Sequence, residues 1–301
     1  MKVSIIIPAF NEAASIEPLL SRLKERYPDF EIIVVNDGSS DDTSACATAA
    51  GAVVYDHPYN IGNGAAIKSG IRLARGDVFV FMDADGQHSP EEIDSLLSFH
   101  PRFDMIVGQR KMQDQTSFVR FLGNKALNFL ASYVTKFPVK DLTSGFRVIR
   151  ADVAKSFLYL LPNTYSYPTT MTLSALRSGF SVRYVPITGH KRKRGSSNIR
   201  LLNDGVRFFM IVAKICTLFS PMRIFLPVSG IFFLLGFTRY LYTFFMYNRF
   251  TNMSGVMITT AVMIFLLGLV SEQISQLRFE RREVLTKTRK RDNVEEDHAV
   301  E

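Results

Sequence analysis

Two apolar runs near the C-terminus limit most strongly what this chain can fold into. Ile224–Tyr247 is almost unbroken. As a helix rising roughly 1.5 Å per residue it reaches about 36 Å, beyond the ~30 Å of a bilayer's hydrocarbon core. A second run, about Gly255–Val270, is shorter but continues through neutral Thr, Ser and Gln at its ends. The runs are adjacent, apolar all round and joined by a short Asn-rich loop. This pattern predicts a transmembrane hairpin, with spans of about 224–247 and 253–274, rather than two buried core helices. Cations stand at Arg207, Lys214 and Arg223 before the hairpin and at Arg278, Arg281 and Arg282 after it, whereas the loop carries only Arg249. The positive-inside rule then describes an integral membrane protein with both termini in the cytoplasm. Arg239 is the anomaly. At a helix centre it would cost roughly 2.5–3.5 kcal/mol, but it lies toward the far end of its run, where a long side chain snorkels to the interface.

The rest of the chain has a different character. The N-terminus offers no signal peptide, because Pro8, Asn11 and Glu12 interrupt before an apolar core forms. Short β-branched runs at Val3–Ile7, Glu31–Val35, Ala52–Tyr55, Val78–Met82, Met105–Val107 and Ser181–Val185 read as strands. Helical patterns fall between them at Ser15–Arg26, Thr43–Ala50, Gly64–Arg75 and Pro90–Phe99. Such alternation predicts an α/β domain over residues 1–190 with a mostly parallel sheet, whose ligands bind beyond the carboxyl ends of the strands. Over 191–220 a basic run, Lys191 to Arg194, leads into Ile199–Phe219, where Arg200, Arg207 and Lys214 share a polar stripe with Asn203 and Asp204. The wide apolar arc opposite predicts an interfacial helix lying on anionic lipid. Residues 275–301 form a charged tail that lacks apolar periodicity from Lys287 onward and is expected to be partly disordered and cytoplasmic.

Composition narrows the partners. The 301 residues are 47% hydrophobic, which excludes a wholly disordered chain. Two distant cysteines, Cys46 and Cys216, exclude a disulfide scaffold. A formal net charge of +8 fits nucleic acid, a membrane surface or a phosphate-rich substrate. Because the basic residues cluster beside the apolar spans and no recognition motif is present, nucleic acid is not an expected partner.

Chemistry-bearing residues stand just after the strands. Pro8-Ala9-Phe10-Asn11-Glu12 follows the first and Asn36-Asp37-Gly38-Ser39 ends the second. Val78–Met82 runs straight into Asp83-Ala84-Asp85-Gly86-Gln87-His88. Two carboxylates two residues apart, followed by an amide oxygen and the imidazole of His88, make a hard-cation site for Mg²⁺ or Mn²⁺ bridging to phosphate. Asn60-Ile61-Gly62-Asn63-Gly64 is not a dinucleotide fingerprint, since Ile67 holds the third glycine position and the segment follows the third strand.

As an ordered set these motifs resemble the inverting family 2 glycosyltransferases, most closely the dolichol-phosphate-mannose-synthase-like branch of polyprenyl-phosphate hexosyltransferases. Further matches are Gly108-Gln109-Arg110, Arg120-x-x-x-Asn124, Asp141-Leu142-Thr143-Ser144-Gly145-Phe146-Arg147 and His190-x-Arg192-x-x-Gly195-x-Ser197, and the likeness covers about residues 3–220. It implies a GT-A nucleotide-sugar-binding domain with a Rossmann-like mixed sheet, followed by the interfacial helix and the transmembrane hairpin. The implied donor is a GDP- or UDP-linked hexose, held by Pro8, Ala9, Phe10, Glu12, Asp37, Gly38, Asp83, Ala84 and Arg110. Asp85 and Gln87 would ligate the metal. The implied acceptor is a dolichyl or undecaprenyl phosphate, met by Arg120, Asn124, Arg192 and Ser197, with Asp83, Asp85 and Arg192 central to catalysis. Asn124 stands where a serine is frequent in that branch, and Asn198 where a lysine is usual.

The residues themselves add an argument about the acceptor. Between Asp152 and Asp204 there is no Asp or Glu, whereas transfer to an alcohol needs a positioned general base. A phosphate monoester, with a second pKa near 6, needs none. Other readings stay open: transfer to a hydroxyl in polysaccharide or glycolipid synthesis, or a silent nucleotide-sugar-binding membrane module. A processive synthase with a Gln-x-x-Arg-Trp signature is excluded, because the chain has no tryptophan. The sequence does not choose the sugar, the metal or the oligomeric state.

Overall fold

The structure, a computed structural model, describes residues 1–110, 125, 128–129, 131–133, 135–163, 167–188 and 220–298, with side chains of the last segment described to 277. The chain divides into two compact units, Met1–Gly205 and Val206–Glu301.

The first unit is built on one seven-stranded sheet. Its strands are β1 (Val3–Ala9), β2 (Glu31–Asn36), β3 (Val53–Asp56), β4 (Val78–Phe81), β5 (Met105–Arg110), β6 (Arg147–Arg150) and β7 (Val182–Ile187), in the spatial order β3-β2-β1-β4-β6-β5-β7. Its helices include α1 (Ala13–Arg26), α2 (Thr43–Ala49), α3 (Asn63–Leu73), α4 (Glu92–Leu97), α5 (Ala151–Ser156) and α6 (Tyr167–Arg177). All seven residues of β1 are buried, as expected for a parallel strand covered on both faces. Full burial of Ile5, Ile6 and Ile7 stabilises the sheet by about 2 kcal/mol per side chain. In α1, buried Ile16, Leu19, Leu20 and Leu23 form one apolar stripe. By contrast β3, at the sheet's edge, leaves Val53 and Tyr55 exposed on one face.

The sheet is mostly parallel, as expected, and is made mixed by one reversed strand, β6. β1 pairs in parallel with β2 and β4, but β6 runs antiparallel to β4 on one side and to β5 on the other. β6 and the helices α5 and α6 stand beyond the strands and helices expected from the sequence pattern. One consequence decides where the site lies: the start of β6 lies beside the end of β4, with Arg147 opposite Phe81. The segment entering β6 is therefore brought to the same sheet edge as the Asp83–His88 loop.

In the second unit, α7 (Met222–Tyr247) and α8 (Asn252–His298) form an antiparallel hairpin. Asn248 closes α7 in the left-handed conformation, at φ 50°. Between the helices, Ser229 Oγ donates to the Ala261 carbonyl at 2.9 Å. Met222–Tyr247 and Asn252–Leu277 are long and apolar enough to cross a bilayer, yet only 11% and 17% of their most apolar stretches are buried. A soluble core helix would be mostly buried. Helical backbone continues through the charged tail to His298, beyond the expected end of the second span and into the stretch expected to be partly disordered.

Candidate active site

Strands β1, β2 and β4 deliver their following loops to one edge of the sheet, and the first two loops are stitched together. The Asn11 backbone, at φ 54°, donates to Ser39 Oγ at 2.9 Å, and Asn11 Oδ1 accepts the Ser40 N–H at 2.8 Å. The Glu12 N–H donates to Thr43 Oγ1 at 2.9 Å, and the Glu12 carboxylate accepts Ser15 Oγ at 2.5 Å. Pro8 and Ala9 are buried beneath this seam, while Phe10 is 44% exposed above it.

Asp37 is buried and heavily engaged. Its Oδ1 accepts the Ile61 N–H at 3.0 Å and lies 2.7 Å from His57 Nδ1, and its Oδ2 accepts the Gly62 N–H at 2.8 Å. His57 Nε2 in turn lies 2.9 Å from Ser69 Oγ on α3. Gly38 has φ +71°, and a Cβ there would stand 2.4 Å from the Tyr59 carbonyl carbon. The loop after β3 is thus packed directly onto Asp37-Gly38, where no L side chain fits without a shift.

The second half of the site follows β4. Asp83 and Asp85 are half-buried, Ala84 is buried, and Asp85 Oδ1 accepts the Gln87 N–H at 3.1 Å across the tight turn at Gly86. His88 is buried and stacked on Phe146, with centroids 4.9 Å apart, and its Nδ1 faces the Asp83 N–H at 3.5 Å. Burial pushes the His88 imidazole down to about 4 against the pull of Asp85 and Asp141, with Arg110 adding to the depression. It is therefore neutral at pH 7.

The segment entering β6 closes the site from the other side. A Cβ on Gly145 would lie 2.8 Å from Asp83 Oδ2, so the Asp83 carboxylate rests on bare backbone. At the end of β5, Arg110 makes a two-pronged pair with Asp141, Nε to Oδ2 and Nη2 to Oδ1 at 3.0 Å each, and donates to Thr143 Oγ1 at 2.7 Å. Burial works against this guanidinium, but Asp141, helped by Asp83, outweighs it and raises its pKa. Asp141 also accepts the Arg110 and Thr143 N–H groups and the Thr143 hydroxyl.

The structure thus brings Asp83, Ala84, Asp85, Gln87 and Arg110 to one place, and Pro8, Ala9, Phe10, Glu12, Asp37 and Gly38 to the neighbouring strand ends. Arg120, Asn124, Arg192 and Ser197 lie outside the described residues, as does the expected interfacial helix. Sequence reasoning gave no role to His57, Asp141 or Arg147. Asp141 and Arg147 stood in a motif that marked them; nothing in the sequence linked His57 to Asp37, twenty residues earlier.

Among the described residues no group of three or more His, Cys, Asp or Glu could hold a metal ion. A hard cation does not need one. Mg²⁺-like ions are commonly held by one or two protein carboxylates together with substrate phosphates, and the Asp85 carboxylate and Gln87 amide oxygen suit that arrangement. A glycine at 145 lets the Asp83 carboxylate sit directly against the backbone.

A mixed sheet that presents this paired-aspartate loop beside an arginine defines a GT-A-like glycosyltransferase domain. The chain belongs to glycosyl transferase family 2, whose family model matches residues 4–158. The GtrB C-terminal hairpin model matches residues 220–277, so this is a glycosyltransferase with a membrane anchor. It is 31% identical to the undecaprenyl-phosphate mannosyltransferase of Micrococcus luteus, across 66% of this chain and 88% of that protein. It is equally similar, at 31%, to the polyprenol monophosphomannose synthase of Mycolicibacterium smegmatis, across 65% of this chain and 80% of that one. Among solved structures it shares its fold with glucosyl-3-phosphoglycerate synthase from Mycobacterium tuberculosis in complex with Mn²⁺, UDP and glucosyl-3-phosphoglycerate. There the TM-score is 0.57 and the identity 22%, covering 72% of this chain and 79% of the other.

Proposed function

We propose that this protein transfers a hexose from a GDP- or UDP-linked sugar to a polyprenyl phosphate, with inversion, at the cytoplasmic face of a membrane. The relatives named for undecaprenyl phosphate and polyprenol support the lipid carrier. The observation that carries the reading is the Arg110–Asp141 pair. Asp141 is the carboxylate the fold places beside Arg110, and its two oxygens already accept five hydrogen bonds from Arg110 and Thr143. So committed, it is poorly placed to take a proton from a hydroxyl acceptor. An acceptor phosphate, already anionic at neutral pH, asks for no such base.

The difficulty for this chemistry is repulsion. Two like charges 4 Å apart cost about 4 kcal/mol at an effective dielectric near 20, and both substrates carry more than one. Arg110, held rigid by Asp141, meets the donor's diphosphate; Arg120 and Arg192 meet the acceptor phosphate. Asp37 and Gly38 hold the nucleotide end, while Asp83 faces the sugar and diphosphate. Asp85 and Gln87 would hold Mg²⁺ or Mn²⁺, which when bound supplies Lewis acidity toward the leaving group. Catalysis then rests on positioning and preorganised charge.

The test incubates the purified protein with a panel of nucleotide sugars, Mg²⁺ or Mn²⁺ and a short polyprenyl phosphate, and reads product mass. A sugar–phosphate–lipid product is expected, and transfer to the matching free polyprenol instead would overturn the acceptor assignment. Asp85→Ala should lower metal-dependent turnover by about 100-fold or more. Unchanged turnover would remove Asp85 from the metal site.

A further inference from the structure

Arg147 is the largest fully buried side chain among the described residues, at 0% exposure. A cation in a protein interior is costly, and a well-packed apolar residue of similar volume is often as stable or more so. What the guanidinium touches is therefore informative. Nη1 donates to the Pro168 carbonyl at 3.0 Å and to Thr172 Oγ1 at 3.2 Å, both on α6. Nη2 donates to the Ser144 carbonyl. The next residue, Gly145, is the one on which the Asp83 carboxylate rests, and Asp141, which grips Arg110, lies three residues before Ser144.

Arg147 therefore ties a helix on one side to the segment that supports both Asp83 and Arg110 on the other. Burial lowers its pKa, against the opposing pull of Tyr167, Tyr184, Asp141 and Asp83. Its Nε is buried with no hydrogen-bond partner among the described residues.

We propose that Arg147 is a positioning residue for the transfer step, fixing Asp83 through the Ser144–Gly145 backbone. This rests on the proposed reaction but is separable from it. Arg147 touches no substrate; it acts by holding the surface against which Asp83 is placed. Lysine is no substitute, because a single ammonium lacks the planar fork that reaches α6 and Ser144 together.

The experiment compares full-length wild type, Arg147→Lys and Thr172→Val in detergent. Thr172→Val weakens the α6 arm and leaves the Ser144 arm intact. Turnover is measured per folded molecule, and binding of Mn²⁺ with UDP and with GDP is measured by calorimetry. Arg147→Lys should lose about 10- to 100-fold in turnover and in Mn²⁺-dependent nucleotide binding, the range seen when outer partners of a metal site are removed. Thr172→Val should lower the unfolding midpoint but leave turnover and binding within about twofold. Wild-type values for Arg147→Lys, or an equal loss in Thr172→Val, would overturn the proposal.

Should Arg147→Lys not fold, Gly145→Ala decides. It keeps the guanidinium and pushes the flexible end of Asp83 out of the same contact, so its nucleotide binding should fall in the same way. Unchanged binding would show that contact to be idle and overturn the proposal. If the wild type transfers no sugar to polyprenyl phosphate, the reaction assigned above fails, and the binding comparison still decides the role of Arg147.

Discussion

Burial leaves the His88 imidazole with a pKa of about 4, packed on Phe146 and facing Asp85, Arg110 and Asp141. In an unfolded chain the same ring titrates near 6.5. Between those values the unfolded state binds more protons than the folded one, so stability rises with pH through that window. The contribution is fully present above about 6.5 and falls as pH drops toward about 4. Below that this group adds no further change. The total is on the order of 3 kcal/mol. His88→Phe, which keeps an aromatic ring on Phe146 and removes the titration, should have a flatter stability curve between pH 4 and 6.5, measured by denaturant unfolding. Identical curves would contradict the buried neutral ring. The sequence showed His88 only as an imidazole after an Asp-x-Asp pair. Its neutrality was not legible there, because it comes from Phe146, fifty-eight residues later. Arg147 was hidden for a related reason: an arginine ordinarily marks a surface, and this one is buried where β6 pairs between β4 and β5 and its guanidinium meets α6.

At the scale of elements, all six strands with β-branched runs were legible and only β6 was not. β1, β2 and β4 appear close to the positions their β-branched runs indicate, and with them the loops that carry Asp37, Asp83 and Asp85. β6 is four residues with arginine at each end, so no apolar run announces it. α6 carries Pro168, Thr169, Thr170 and Thr172, residues of poor or middling helix propensity, and forms because every residue from Tyr167 to Ala175 is buried. The connection between β3 and α3 depends on a contact that the sequence does not display. Asp37 satisfies two backbone N–H groups and His57 at once, and leaving a buried donor unpaired costs about 1–3 kcal/mol. Asp37→Ala should therefore destabilise the full-length protein by about 3 kcal/mol or more in denaturant unfolding, whatever it does to donor binding. A loss under about 1 kcal/mol would mean that loop 57–62 does not depend on this carboxylate.

For the whole molecule, a reaction between a water-soluble nucleotide sugar and a lipid phosphate has to take place at a bilayer surface, and the hairpin supplies the attachment. Its two spans expose large apolar side chains along their length, among them Phe233, Leu234, Phe245, Leu266 and Leu267, a surface that water would penalise and lipid would not. The cations Arg223, Arg278, Arg281 and Arg282 all flank the outer ends of the hairpin, and the turn holds only Arg249. Under the proposed topology that turn lies across the membrane from the catalytic unit. Single cysteines placed in a background lacking Cys46 and Cys216 test it in right-side-out vesicles. A cysteine at Arg249 should react with a membrane-impermeant maleimide added outside. One at Glu17, exposed on α1, should react only after permeabilisation. Labelling of the Glu17 position from outside would reverse the orientation, and would place the donor site on the side away from the cytoplasmic pool of nucleotide sugar that the proposed reaction draws upon.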